Sequence, residues 1–140
     1  MKKIVIILII LFVNSLASDL NKIKVEIISQ ISSVIMKKER VKVFVSDRKF
    51  LKLKKDTEKI KFVNTCQDAD IIVCKDIKNL PKECRNKIIL CTRYRSYKRS
   101  DSAFGAIFWQ KGRPNLIFSA KSIKERGIRL PNSFRKYIDE

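Results

Sequence analysis

Histidine is absent from the 140-residue chain. Its absence removes the side chain most often used as a general base near neutral pH, and the commonest transition-metal ligand. Glycine numbers only three, and no Gly-rich stretch could cradle a phosphate. Proline also numbers three, no segment is Gly/Ser- or Pro-rich, and no internal repeat of useful length is present. Linkers and repeat architectures are therefore excluded, and the chain is expected to form one domain. Acidic residues are scarce, 14 Asp and Glu against 32 Lys and Arg. Asp68 and Asp70 could pair as carboxylates, but their position ahead of an apolar run marks the lead-in to a strand. No His/Cys/Asp/Glu spacing suits a metal, and no nucleophile–base pair stands out. The expectation is a protein without cofactor or metal, and not an enzyme.

What is present begins at the N-terminus. Lys2 and Lys3 precede an unbroken apolar run, Ile4–Val13, followed by Asn14-Ser15-Leu16-Ala17. A positive start, a short apolar core and the small residues Ser15 and Ala17 form a secretory signal with cleavage after Ala17. Ten apolar residues fall short of the roughly 20 that span a bilayer; retention as an anchor is the alternative. No Cys follows the run, so lipid attachment there is excluded. The expected working domain is 18–140, in the periplasm. Loss of Lys2 and Lys3 lowers the formal charge from +18 to +16. Such a charge points to an anionic partner, such as headgroups, a wall polymer or an acidic protein surface. Export removes nucleic acid from the list.

The apolar positions Leu20, Ile23, Ile27, Ile28, Ile31, Val34 and Ile35 step by threes and fours, predicting an amphipathic helix from Asp19 to about Lys37. Val41–Val45, Ile60–Val63, Ile71–Cys74 and Lys87–Cys91 are short β-branched runs and predict strands. Asp47–Leu53 is expected to be a short helix with Phe50, Leu51 and Leu53 inward. Thr92–Ser102 is a polar, basic, Tyr-containing connection. Ala103–Trp109 and Asn115–Phe118 predict an antiparallel hairpin around the turn Gln110–Pro114. Ser119 caps a helix from Ala120 to Arg126, and Asn132–Ile138 predicts a last one. Together these predict an α/β fold. It is a single three-layer domain, with a mainly parallel sheet, a C-terminal antiparallel β-hairpin and flanking helices.

The four cysteines of an exported chain are read first as two disulfides. Three pairings exist. If the third and fourth strands are parallel neighbours, Cys66 faces Cys84 ahead of them and Cys74 faces Cys91 at their ends. That is the preferred pairing, as structural staples, since no CxxC arrangement activates a thiol.

Two surfaces are candidates for binding. Arg93, Tyr94, Arg95, Tyr97, Lys98 and Arg99 follow the fourth strand, where open α/β sheets place ligands. Cations interleaved with Tyr rings suit a carboxylate, a phosphate or an acidic partner. Trp109, the sole Trp, with Lys111 and Arg113 at the hairpin turn, is the second; if its strand lies at an edge, it contributes to a partner surface.

The order of elements resembles the YfiR-like family of small periplasmic proteins. The resemblance rests on Cys66-Gln67-Asp68-Ala69-Asp70 before Ile71-Ile72-Val73. It extends to Gly105-Ala106-Ile107-Phe108 with Asn115-Leu116-Ile117-Phe118, and to Gly127-Ile128 ahead of Leu130-Pro131-Asn132-Ser133-Phe134. Ser119 stands where the family's final strand carries Asn. The resemblance implies an α/β domain, often disulfide-bearing and often a homodimer. It also implies a regulator that holds a membrane-bound diguanylate cyclase or similar sensor inactive by protein–protein contact. A periplasmic solute-binding protein for a small anionic ligand at the basic connection is the other expected function.

Overall fold

A computed structural model describes residues 17–139, and the apolar run Ile4–Val13, expected to be a secretory signal, lies outside them. The first helix, α1 (Ala17–Met36), buries the predicted Ile28, Ile31 and Ile35, and Val25, which the predicted stripe omits; Leu20, Ile23, Ile27 and Val34 are half-buried. Lys37 ends it in the left-handed region (φ 53°), its N–H donating to Ser33 O at 3.0 Å. Among the described residues, no helix is long and apolar enough to cross a membrane.

The strands are β1 (Val41–Val45), β2 (Ile60–Phe62), β3 (Ile71–Cys74), β4 (Ile88–Cys91), β5 (Gly105–Gln110), β6 (Arg113–Ser119) and β7 (Ile138–Asp139). They form one seven-stranded sheet in the order β2-β1-β3-β4-β5-β6-β7. The first five run parallel, β6 turns back against β5, and β7 lies parallel to β6. The α/β class and the antiparallel hairpin thus stand as the sequence predicts.

All eight residues of β3 and β4 are buried. Both faces of the sheet must therefore be covered. One face packs Val43, Ile71, Val73, Leu90 and Ile107 against α1 and the Phe50-Leu51 segment. The other packs Ile72, Cys74, Ile89, Cys91 and Ala106 beneath short elements: Cys66 and Ala69, single 3-10 turns at Ile77–Asn79 and Lys82–Cys84, and helix α2 (Tyr94–Arg99). Helix α3 (Ala120–Glu125) starts at Ser119, whose hydroxyl accepts from Ser122 N. The outer edge of β2 is closed by its own approach: Phe62 N donates to Asp56 Oδ1 at 2.8 Å, and Ile60 N to Thr57 Oγ1 at 3.1 Å. Such closure blocks pairing with another chain.

Several expectations need correction. Asp47–Leu53 is a single turn, not a helix: Asp47 Oδ1 caps its start, accepting from Lys49 N and Phe50 N, but Asn21 Oδ1 accepts from Lys52 N and Leu53 N. Asn21 thereby takes the N–H groups with which a helix would continue. Phe50 and Leu51 do turn inward, but Leu53 is 64% exposed. The basic connection after β4 contains α2 rather than loop alone. The hairpin turn is only Lys111-Gly112, both at positive φ (53° and 74°), and Pro114 sits within β6 opposite Trp109. Two successive positive-φ residues make the tight hairpin turn whose twist matches the strands. The C-terminal helix is a 3-10 segment, Asn132–Tyr137, and Ile138-Asp139 pairs with Phe118-Ser119 as a seventh strand that the sequence pattern did not reveal.

Cys66 and Cys84 form a disulfide with Cα atoms 6.0 Å apart. Cys74 and Cys91 lie opposite each other in parallel register, as the preferred pairing requires, yet both are buried thiols and not a second disulfide. Their hydrogen bond, then burial, push the Cys74 thiol up from its ordinary value and make it unreactive.

Two outcomes are expected. Gly105 faces Phe118 so closely that an added Cβ would lie 2.3 Å from Ile117 O and 2.9 Å from the Phe118 ring. Gly105→Ala should therefore cost about 2 kcal/mol or more in urea unfolding, the scale of an overpacked core; a neutral result would show that the hairpin can shift there. Alkylation without reductant should label no cysteine in the folded protein and two, Cys74 and Cys91, in urea. Four labelled residues in urea, or none, would contradict the single-disulfide arrangement.

Candidate functional site

The strand order reverses between β1 and β3: the chain leaves β1 toward the α1 face and leaves β3 toward the other. Open α/β sheets bind ligands in the crevice beyond the carboxyl ends at such a reversal. Here a side-chain bridge fills that position. Asp47, just after β1, accepts through Oδ2 from Thr92 Oγ1, just after β4, at 2.7 Å, while its Oδ1 caps the following turn. The bridge passes over the end of β3, which lies between the two strands. The crevice is thereby closed by the chain's own carboxylate.

The sequence-predicted residues sort onto the two faces by the pleat. Ala106 and Phe108 point to the α2 face, Ile107 and Trp109 to the α1 face. Trp109 is half-buried, its ring 6.1 Å from Phe50 in an edge arrangement. Lys24 of α1 lies over both rings, at 4.7 Å from Phe50 and 5.2 Å from Trp109, and donates to Phe50 O at 2.7 Å. Burial lowers the Lys24 ammonium below its ordinary value; Asp47 opposes that shift and Lys52 adds to it. Stacking of this kind contributes about 0.5–2 kcal/mol. Because β5 is an interior strand, Trp109 is not at an edge, and its contacts make it a clamp between α1 and the 47–53 turn.

The α2 face gathers most of the remaining candidates. Tyr97 is buried, and Arg93, Tyr94, Arg95, Lys98 and Arg99 are exposed. Tyr94 leans on Phe108 with ring centroids 5.6 Å apart and on Tyr97 at 6.3 Å. Tyr94 is 42% exposed, one of two large apolar side chains so displayed among the described residues. Arg113, opposite Gln110, shares the face and register of Asn115 and Phe108. With Lys111, Gln110 and Asn115 it lines an open groove of about 460 Å³. Structure thus joins Arg113 to the α2 surface and separates both from Trp109. No group of three potential metal ligands occurs among the described residues.

Tyr97 fixes α2 to the C-terminus. Its hydroxyl donates to Asp139 Oδ2 at 3.3 Å, and Lys98 Nζ reaches the same oxygen at 3.3 Å. Asp139 raises the Lys98 ammonium, first by that hydrogen bond. Burial first, then the Asp139 charge, push the Tyr97 hydroxyl up to about 12 from an ordinary 10.0. Between those values the unfolded chain has lost this proton and the folded chain keeps it. Stability is therefore complete below pH 10.0 and falls as pH rises toward 12. Tyr97→Phe should flatten the fall in urea-unfolding stability over that window; an unchanged slope would show that Tyr97 is not responsible.

No protein-family model and no curated protein matches the chain. Among solved structures it is similar to a conserved domain protein from Vibrio cholerae O1 biovar El Tor strain N16961, at 10% identity and a TM-score of 0.48. The likeness covers 81% of this chain and 58% of that one, so the chain spans less than two thirds of that protein's length.

Proposed function

We propose that the protein is a non-enzymatic binding and regulatory module of the cell envelope, docking an acidic protein surface on the α2 face. The observation that carries this reading is Tyr94: exposed, propped on Phe108, with Lys98 Nζ 5.9 Å from its ring centroid and with Arg93, Arg95 and Arg99 exposed along the same segment. None of these three arginines has an ion-pair partner among the described residues. Tyr and Arg are the side chains that concentrate binding energy in protein interfaces, Tyr by rigid area and Arg by bidentate bonds to carboxylates. The signal-like N-terminus supports an extracytoplasmic address. The resemblance to YfiR-like proteins supports the extracytoplasmic part of a membrane signalling protein, of the diguanylate cyclase type, as the partner.

The test is affinity capture from crosslinked envelopes. Tyr94→Ala with Arg113→Glu removes the ring and reverses one charge on the same face, and both side chains are exposed. Melting should change little, while capture of a membrane protein is lost. Equal capture by the variant would rule out this face as the docking surface.

A further inference from the structure

The segment Arg48–Lys55 reads Arg-Lys-Phe-Leu-Lys-Leu-Lys-Lys. Arg48, Lys49, Lys52, Lys54 and Lys55 are all exposed, the segment holds no acid, and none of the five makes an ion pair among the described residues. Its backbone is held from three sides. Asp47 takes two N–H groups at its start, Lys24 Nζ donates to Phe50 O, and Asn21 grips residues 52 and 53. Asn21 Nδ2 also donates to Leu53 O at 2.9 Å. Leu51 is 1% exposed and anchors the base. With the backbone so fixed, Leu53 cannot turn inward, and it stands out at 64% exposure between grooves of about 560 and 390 Å³. An apolar tip amid uncompensated cations is the pattern of a loop that rests on charged headgroups and inserts one side chain.

We propose that the Arg48–Lys55 loop docks the domain on a bilayer surface of anionic lipid. The composition distinguishes it from the α2 surface. Four of its five cations are lysines, hydrated point charges that need no fixed geometry, and lysine is depleted at protein interfaces. The α2 surface, in contrast, is rich in arginine and tyrosine. A fluid layer of headgroups can rearrange around mobile lysines, whereas fixed carboxylates on a folded partner would need a shaped counterpart. The loop is also gripped by the first turns of α1, the part of the described fold nearest in sequence to the apolar run Ile4–Val13.

Co-sedimentation of the full chain with phosphatidylcholine vesicles, with and without phosphatidylglycerol, tests the proposal. Binding should rise with phosphatidylglycerol and weaken with salt. Equal binding overturns the proposal; because Lys2 and Lys3 beside the apolar run would also favour phosphatidylglycerol, the loop variants assign the preference to the loop. Each lysine at an anionic surface contributes about fivefold in partitioning. Lys52→Glu with Lys54→Glu should therefore lower the phosphatidylglycerol-dependent binding by about 25-fold or more, with melting unchanged; an unaltered value overturns it. Should that variant fail to melt cooperatively, Leu53→Ser decides by the same readout, expected to lose binding several-fold. Capture of a protein partner by the α2 face should survive in these loop variants, which separates failure of one surface from failure of the other.

Discussion

Burial of β3 and β4 on both faces is the constraint on which the rest of the structure depends. A central parallel pair with no polar side chain needs two covering layers, and the chain has one long helix to offer. That helix covers one face. The other is covered by two single 3-10 turns, the Cys66–Ala69 corner and the six-residue α2, none long enough to be stable alone. Cross-links compensate. The Cys66–Cys84 disulfide closes a separation of 18 residues, worth about 3 kcal/mol in a chain-entropy account. Arg85 reaches back to Leu80 O and Lys78 O, Lys87 bonds Ala69 O at 2.8 Å, and Tyr97 ties α2 to Asp139.

The scarcity of glycine and proline has a related consequence. Irregular segments cannot rely on backbone-preset turns, so side chains hold them. Asp47, Asp56, Asp70 and Asp76 each accept a backbone N–H, and Asn21 and Thr57 each take two. Asp47 and Asp76 make no ion pair among the described residues, whereas Asp56 and Asp70 also pair with Arg40 and Lys38. Few carboxylates then remain to neutralise a chain with more than twice as many cations, and three ion pairs form among the described residues. The uncompensated charge on the surface follows from how few acids there are, 14 against 32 cations.

The same economy explains what could be read from the sequence. The β-branched runs, the periodicity of α1 and the hairpin were legible because each is a local pattern. The placement of Cys66 beside Cys84 followed from parallel neighbours, and so did the register of Cys74 with Cys91. Whether the second pair is joined did not, since register brings thiols together without oxidising them. Leu53 was misplaced because its helical spacing from Phe50 is overruled by Asn21, 32 residues away in sequence. Likewise β7 is two residues long and exists only because β6 offers an edge, and Trp109 was assigned to a partner surface because its contact with Lys24 and Phe50 is tertiary.

The two faces also clarify why one small domain can carry two separate basic surfaces. The Arg48–Lys55 loop leaves β1 on the α1 side, and α2 leaves β4 on the other. Between them the Asp47–Thr92 bridge closes the crevice and ties the two departures together. A domain resting on headgroups through the loop would keep the α2 face clear of the lipid it rests on, available to a protein held in the same membrane. Loss of the Thr92 hydroxyl would leave each surface chemically intact and remove the hydrogen bond that joins the two departures.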